Sequence, residues 1–231
     1  MDPSIAQGLE SSPCEPLTAS LRPVGRRRNT GAGLRLASCL MLWLWAALAV
    51  AAVSTLMAGH WLMLPSPASA ERPDVAAALV SLRAEGDDRW FAVHVMYVDC
   101  RCSQRVVDHL TTRQRPPELS EHVVLVGRDR SMERRLQTRG YRVTTVNPEE
   151  LLSRFRLQAA PLLAVISPAG DLRYLGGYSE RKQGPDIRDL EIVAGLRARS
   201  AVDELPLFGC AVSQGLQDLL DPLGIKYNRT P

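Results

Sequence analysis

The sequence predicts one transmembrane helix followed by a three-layer α/β domain with a mixed sheet. Three observations lead there. Residues 36–58 form a run of 23 without a charge, and about 20 apolar residues span a bilayer. Beyond a short linker, helix and strand patterns alternate, as they do where helices cover both faces of a sheet. Two apolar runs around a Pro/Gly turn then give a hairpin, followed by one more helix. At 231 residues, the chain has room for one ordinary domain plus extras.

Residues 1–35 are expected to be a disordered cytoplasmic tail. Arg22, Arg26, Arg27, Arg28 and Arg35 precede the apolar run, and no Lys or Arg follows it until Arg72. The positive-inside bias puts the N-terminus in the cytoplasm and everything after His60 on the far side. Ala68-Ser69-Ala70 has the small-x-small form of a signal-peptidase site. A signal h-region is only about 7–15 residues long, however, so an anchor at residues 36–58 is preferred to a cleaved signal. Leu36-Ala37-Ser38-Cys39 imitates a lipoprotein acceptor, but the apolar stretch follows the cysteine instead of preceding it.

Residues 59–72 form a linker, and Pro73 opens a helix over 74–84 with Val75, Leu79 and Leu82 on one face. Residues 90–98 read as a buried strand, followed at once by Cys100-Arg101-Cys102. Ser103 is expected to cap a helix carrying Val106, Val107 and Leu110, which Pro116-Pro117 ends. A short strand at 123–126, a helix at 131–139 closed by Gly140, and a strand at 141–146 come next. Asn147-Pro148 starts a helical turn with Leu151, Leu152 and Phe155. The hairpin pairs 162–166 with 172–175, and a helix covers 186–199. The domain therefore occupies residues 73–204, and residues 205–231 form an extension carrying Cys210.

Charge separates the partner classes. Residues 1–35 supply five Arg against Asp2, Glu10 and Glu15, which is +2 of the net +3. The remainder is nearly balanced, so no nucleic acid partner is expected. Basic residues are almost all Arg, with only Lys182 and Lys226, and Ala is abundant. That bias suits a GC-rich bacterial genome. The anchor would then lie in the inner membrane and the domain would face the periplasm, where disulfides form and persist.

Of five cysteines, Cys14 lies in the tail and Cys39 at the cytoplasmic end of the apolar run. Cys100, Cys102 and Cys210 lie outside, an odd set that suggests a reactive thiol, an intermolecular bond or a three-ligand metal site. Cys100 and Cys102 sit at a strand-to-helix junction, where the positive helix N-terminus favours a thiolate. Arg101 and Arg105 would help to lower a thiol pKa to about 3.5–7.5, and Asp99 would oppose them. A Cys-x-Cys disulfide closes a small ring, and strain makes a disulfide a better oxidant.

The order strand, cysteine pair, helix, strand, helix, strand, proline, hairpin, helix resembles thioredoxin. Residues 94–102, His94-Val95-Met96-Tyr97-Val98-Asp99-Cys100-Arg101-Cys102, and residues 155–171, with Ala159-Ala160-Pro161 before the hairpin, carry the resemblance. With the anchor, the chain resembles the membrane-tethered bacterial thioredoxin-like proteins that serve cytochrome maturation and related extracytoplasmic thiol tasks. The resemblance covers roughly residues 75–199. It implies a thioredoxin-like three-layer sandwich and thiol–disulfide exchange with protein thiols or disulfides, without a cofactor. By the same match, Pro161 is the cis-proline that borders the site and touches substrate. Cys100 is the exposed attacking thiol, and Cys102 resolves. Two departures stand out. The pair lacks one residue of the family's Cys-x-x-Cys and follows Asp99 where the family usually has Trp, and the extension brings Cys210.

Pro161 has no N–H, so a neighbouring backbone group is left free to pair with a substrate strand. Cys210 follows Gly209 and precedes a helical stretch ending near Leu220. It would be either a third thiol that resolves or relays the disulfide, or a small buried residue. Two other classes stay open. One is a metal protein in which three thiolates, with His94 or His109, hold Cu(I) or Zn²⁺. The other is a binding module that does no chemistry.

Overall fold

An apolar segment placed in a helix must show its side chains to something, and the first helix has no polar face to give water. α1 runs Thr30–Trp61, 32 residues, or about 48 Å at 1.5 Å per residue. Its stretch Arg35–Ser54 has a mean hydropathy of 2.2 and no buried side chains, and it is long and apolar enough to cross a membrane. Met41, Trp43 and Trp45 are each at least 70% exposed. The computed structural model describes residues 30–61, 63–182, 184, 186–221, 224 and 226–227. Most of the expected tail, with Cys14, lies outside these residues.

The chain divides into two units, Met1–Ser54 and Thr55–Pro231. The second begins with α2 (Arg72–Val80), β1 (Trp90–Tyr97), α3 (Arg101–Thr112) and β2 (Leu119–Val126). There follow α4 (Arg130–Thr138), β3 (Arg142–Val146), α5 (Pro148–Phe155), β4 (Ala159–Ala160), β5 (Leu162–Ile166) and β6 (Leu172–Gly176). The remaining elements are α6 (Asp189–Arg197), β7 (Cys210–Ala211) and α7 (Gln214–Leu220). Side-chain caps fix several starts: Asp129 accepts from the Ser131 and Met132 N–H groups, and Asn147 accepts from Glu150 N–H at 2.7 Å.

The main sheet has the order β3-β2-β1-β5-β6. β1, β2 and β3 run parallel, and β5 and β6 are antiparallel to their neighbours. Successive side chains of a strand point to opposite faces, so the sheet has an apolar layer on each. Phe91, Val93 and Val95 pack with Val75 and Leu79 of α2 and Leu151 and Phe155 of α5. Ala92 and Met96 pack with Val106 and Leu110 of α3, Leu136 of α4 and Val193 of α6. This is an α/β fold of three layers with a mixed sheet, and its strands and helices follow the order that the sequence predicts. β1 is its central strand, so the cysteine pair leaves the sheet at its middle.

Several boundaries differ from expectation. β2 starts at Leu119, four residues early, because Glu121 and His122 are buried in the strand with partners of their own. α2 ends at Val80, and α6 starts only at Asp189. α3 starts at Arg101 with Cys100 as its N-cap. Ser103 lies inside its first turn, where its hydroxyl accepts from Tyr97 N–H at 3.0 Å. The extension forms a small second sheet in which β7 pairs antiparallel with β4.

Candidate active site

Where β1 ends, Tyr97 still pairs with Val126, and the chain turns directly into α3. Cys100 N–H donates to the Tyr97 carbonyl at 3.1 Å, and Gln104 N–H donates to the Cys100 carbonyl at 3.0 Å. Extended backbone at Cys100, with φ −105° and ψ 116°, is ordinary N-cap geometry, in which a side chain faces the free N–H groups of the first turn. The side chain here is a sulfur.

Cys100 is fully buried, and Cys102 and Cys210 are half-buried. The Cys102 thiol and then the Cys210 thiol donate toward the Cys100 sulfur, and the Ser103 and Cys102 N–H groups add to them. Together they outweigh the cost of burial and hold Cys100 far below the ordinary thiol value, at about 3. Cys102 and Cys210 are pushed up for the converse reason: each keeps its proton as the hydrogen-bond donor to the Cys100 thiolate, and burial adds to the shift. The charge of the site thus rests on Cys100. The arginines are not its main source. Arg105 donates to the Gly184 carbonyl, and the Asp99 carboxylate turns toward Tyr97.

The Ala160–Pro161 peptide is cis, and the Ala160 carbonyl oxygen lies 3.8 Å from Cys100 Sγ. Pro161 is therefore beside the pair. The backbone next to it was expected to be open to a substrate strand, and it is not. Ala160 faces Cys210, and Ala159 faces Ala211, in the β4–β7 ladder. Gly209 permits this approach: a Cβ there would come 2.0 Å from the Ala160 carbonyl oxygen and 2.6 Å from Pro161 Cδ. The segment is pinned further on, where Val212 N–H donates to the Gln158 carbonyl at 2.7 Å and Ala211 N–H to the Tyr227 hydroxyl at 2.9 Å. Lys226 stands near Cys210 and Cys100. Burial works against its charge, but the Tyr227 hydroxyl and the two sulfurs raise its pKa.

A groove of about 380 Å³ opens beside the pair. Cys102, Pro161, Tyr178, Pro206 and Phe208 line it, with Arg101 and Arg105 supplying positive charge. Cys102 is thus the sulfur on the groove, and Cys100 is not the exposed one. The exposure that the resemblance implies for Cys100 belongs instead to Cys102.

Both imidazoles weighed as ligands have other partners. His94 contacts the Tyr178 hydroxyl at 2.9 Å and Glu121 Oε1 at 3.3 Å, and His109 contacts Asp189 Oδ1 at 2.9 Å. Among the described residues, the His, Cys and acidic groups clustered closely enough to hold a metal are His94, Glu121 and Asp189, without a thiol. Their carboxylates already face guanidinium groups. Arg113 bonds both Glu121 and Asp189, and Arg115 Nε donates to Glu121 Oε2 at 3.0 Å. Burial pushes the Glu121 carboxyl up, but His94 and Arg113 outweigh it and hold the carboxyl at about 2. This ion-pair network lies under the groove, which it meets at Tyr178, stacked on His94 at 6.1 Å. Its two histidines were singled out in the sequence only as candidate ligands, and Glu121 lay outside the strand expected at 123–126.

No protein-family model matches the chain, and no curated protein matches it. Solved structures give distant likenesses. A hypothetical protein from Sinorhizobium meliloti 1021 is 12% identical over 55% of this chain and 80% of its own, with a TM-score of 0.41. An uncharacterized conserved protein from Geobacillus kaustophilus is 12% identical over 55% of this chain and 77% of its own, with a TM-score of 0.42. The thioredoxin domain of a thiol-disulfide oxidoreductase from Bacteroides vulgatus is 8% identical over 37% of this chain and 68% of its own, with a TM-score of 0.30.

Proposed function

We propose that this chain is a membrane-anchored thiol–disulfide exchange protein whose domain faces the periplasm and acts through Cys100 and Cys102 on the thiols of partner proteins. The observation that carries the reading is the division of labour between the two sulfurs: Cys102 lines the groove, and buried Cys100 holds the negative charge. The apolar helix and the arginines on one side of it support the anchor and its orientation.

The division favours disulfide donation. In the oxidised pair, a partner thiolate attacks Cys102 Sγ from the groove. The Cys100–Cys102 bond breaks, its electron pair stays on Cys100, and a mixed disulfide joins Cys102 to the partner. A second partner thiolate then attacks the partner's own sulfur, Cys102 leaves and takes up a proton, and the partner keeps a new disulfide. Two electrons have passed from the partner to the pair. A low-pKa thiol leaves faster, and a stabilised reduced form makes the disulfide a stronger oxidant.

The test is to equilibrate the full chain, in detergent, with mixtures of reduced and oxidised glutathione and to alkylate the free thiols. Cys100 and Cys102 are expected to lose their alkylation together as the mixture becomes oxidising. A pair that stays fully alkylated throughout, and carries no mixed disulfide, overturns the reading.

A further inference from the structure

The extension occupies the edge of β4, and it delivers a cysteine there. Cys210 sits opposite Ala160, whose carbonyl oxygen is 3.8 Å from Cys100 Sγ. The seat is specific, because a side chain at Gly209 would collide with Ala160 and Pro161. It is also held from both ends, by Gln158 on Val212 and by Leu207, whose carbonyl accepts from Leu64 N–H at 3.0 Å. Phe208 and Pro206 line the groove that contains Cys102, but Cys210 does not. Buried Cys100 hydrogen-bonds with both Cys102 and Cys210, and these two differ in that Cys102 lines the groove.

From this geometry, and resting on the exchange reading above, we propose that Cys100 is the shared sulfur of two alternative disulfides and that Cys210 is a third redox-active thiol that sets which one faces the groove. Starting from Cys100–Cys102, the Cys210 thiolate attacks Cys100 Sγ. The Cys100–Cys102 bond breaks, Cys100–Cys210 forms, and Cys102 leaves as a thiolate that takes the proton Cys210 lost. No electron leaves the chain. With the bond at Cys102, the groove presents a disulfide and acts on partner thiols. With the bond at Cys210, it presents a free thiol, whose substrate class is partner disulfides. The switch turns a disulfide donor into a thiol that attacks and rearranges existing bonds. Cys102 and Cys210 each hydrogen-bond to the Cys100 sulfur, which gives either one the contact that an exchange at Cys100 requires.

Arg101 lies between the paired cysteines, so trypsin separates all three sulfurs, into peptides 90–101, 102–105 and 200–226. The full chain, in detergent, is oxidised with oxidised glutathione, trapped with N-ethylmaleimide, digested and read by mass spectrometry. Links from 90–101 to 102–105 and from 90–101 to 200–226 are both expected. Cys210→Ser should lose the second link completely and transfer its share to the first. Gly209→Ala, which pushes β7 away without removing a thiol, should lose the same link and keep the other. If 90–101 joins 102–105 while Cys210 is alkylated in every sample, the switch is overturned and the exchange reading stands. If Cys100 forms no link at all, both fall.

Discussion

Cys210 faces Ala160 across a two-residue antiparallel ladder, directly above the place where the Cys100 sulfur meets the Ala160 carbonyl. The C-terminal extension is thus a wall of the cysteine site. The thiol that faces the groove is Cys102, and the charge belongs to a neighbour out of solvent.

The potential of the pair should change with pH at an unusual slope. Cys100 is held at about 3, while Cys102 is pushed up. Between about pH 4 and pH 8, reduction therefore takes up two electrons and one proton, and the potential should fall by about 30 mV per pH unit. A redox titration at several pH values checks this. A slope near 59 mV per unit would mean that both thiols are protonated in the reduced pair.

Glu121 should carry much of the domain's resistance to acid. Its carboxyl is held at about 2 against an ordinary 4.5. The unfolded chain therefore takes up the proton first, so the stabilisation is complete above about pH 4.5 and is lost as the pH falls through about 2. Glu121→Gln leaves Arg115 without its buried partner and Arg113 with Asp189 alone. The expected cost is about 3–5 kcal/mol near neutral pH, the range for breaking a buried ion pair. Urea denaturation at neutral and acid pH reads both effects, and the variant should lose less stability in acid than the parent.

Ser103→Ala should loosen the junction that aims the pair. The hydroxyl satisfies Tyr97 N–H in a part-buried setting, and losing such a hydrogen bond costs about 1 kcal/mol. Denaturant midpoints measure the loss. The Cys102 alkylation rate should rise at the same time as the first turn frays.

The order of strands and helices was legible because each long element carries its own signal, a continuous apolar run for β1 and a period near 3.6 for α3 and α6. The pair at the strand-to-helix junction and the hairpin after Pro161 followed from the same patterns. What was not legible depends on contacts far apart in sequence. β7 is two residues long and has no period to read, and its register rests on the missing side chain of Gly209. β2 was shortened to 123–126 because Glu121 and His122 look like surface residues until Arg113, Arg115 and Thr144 are brought to them. The start of α3 was misplaced because serine is a strong capping residue and cysteine is not. The exposure expected of Cys100 rested on the resemblance alone, and burial at the N-cap of α3 puts Cys102 in its place.

Orientation has its own check. A reporter that is active only in the periplasm, fused after Leu64, is expected to be active. A silent fusion, with the protein present in the membrane, would reverse the proposed topology.

Trapping a partner on single-cysteine variants of the pair is the most direct measurement. In a Cys100→Ser chain the mixed disulfide formed by Cys102 has no neighbour at position 100 to resolve it, so a dithiol peptide disulfide should accumulate as an adduct on Cys102. Cys102→Ser should accumulate far less, because its remaining sulfur is buried. Equal adducts on both variants would contradict the assignment of roles. No adduct on either would contradict thiol–disulfide exchange at this site.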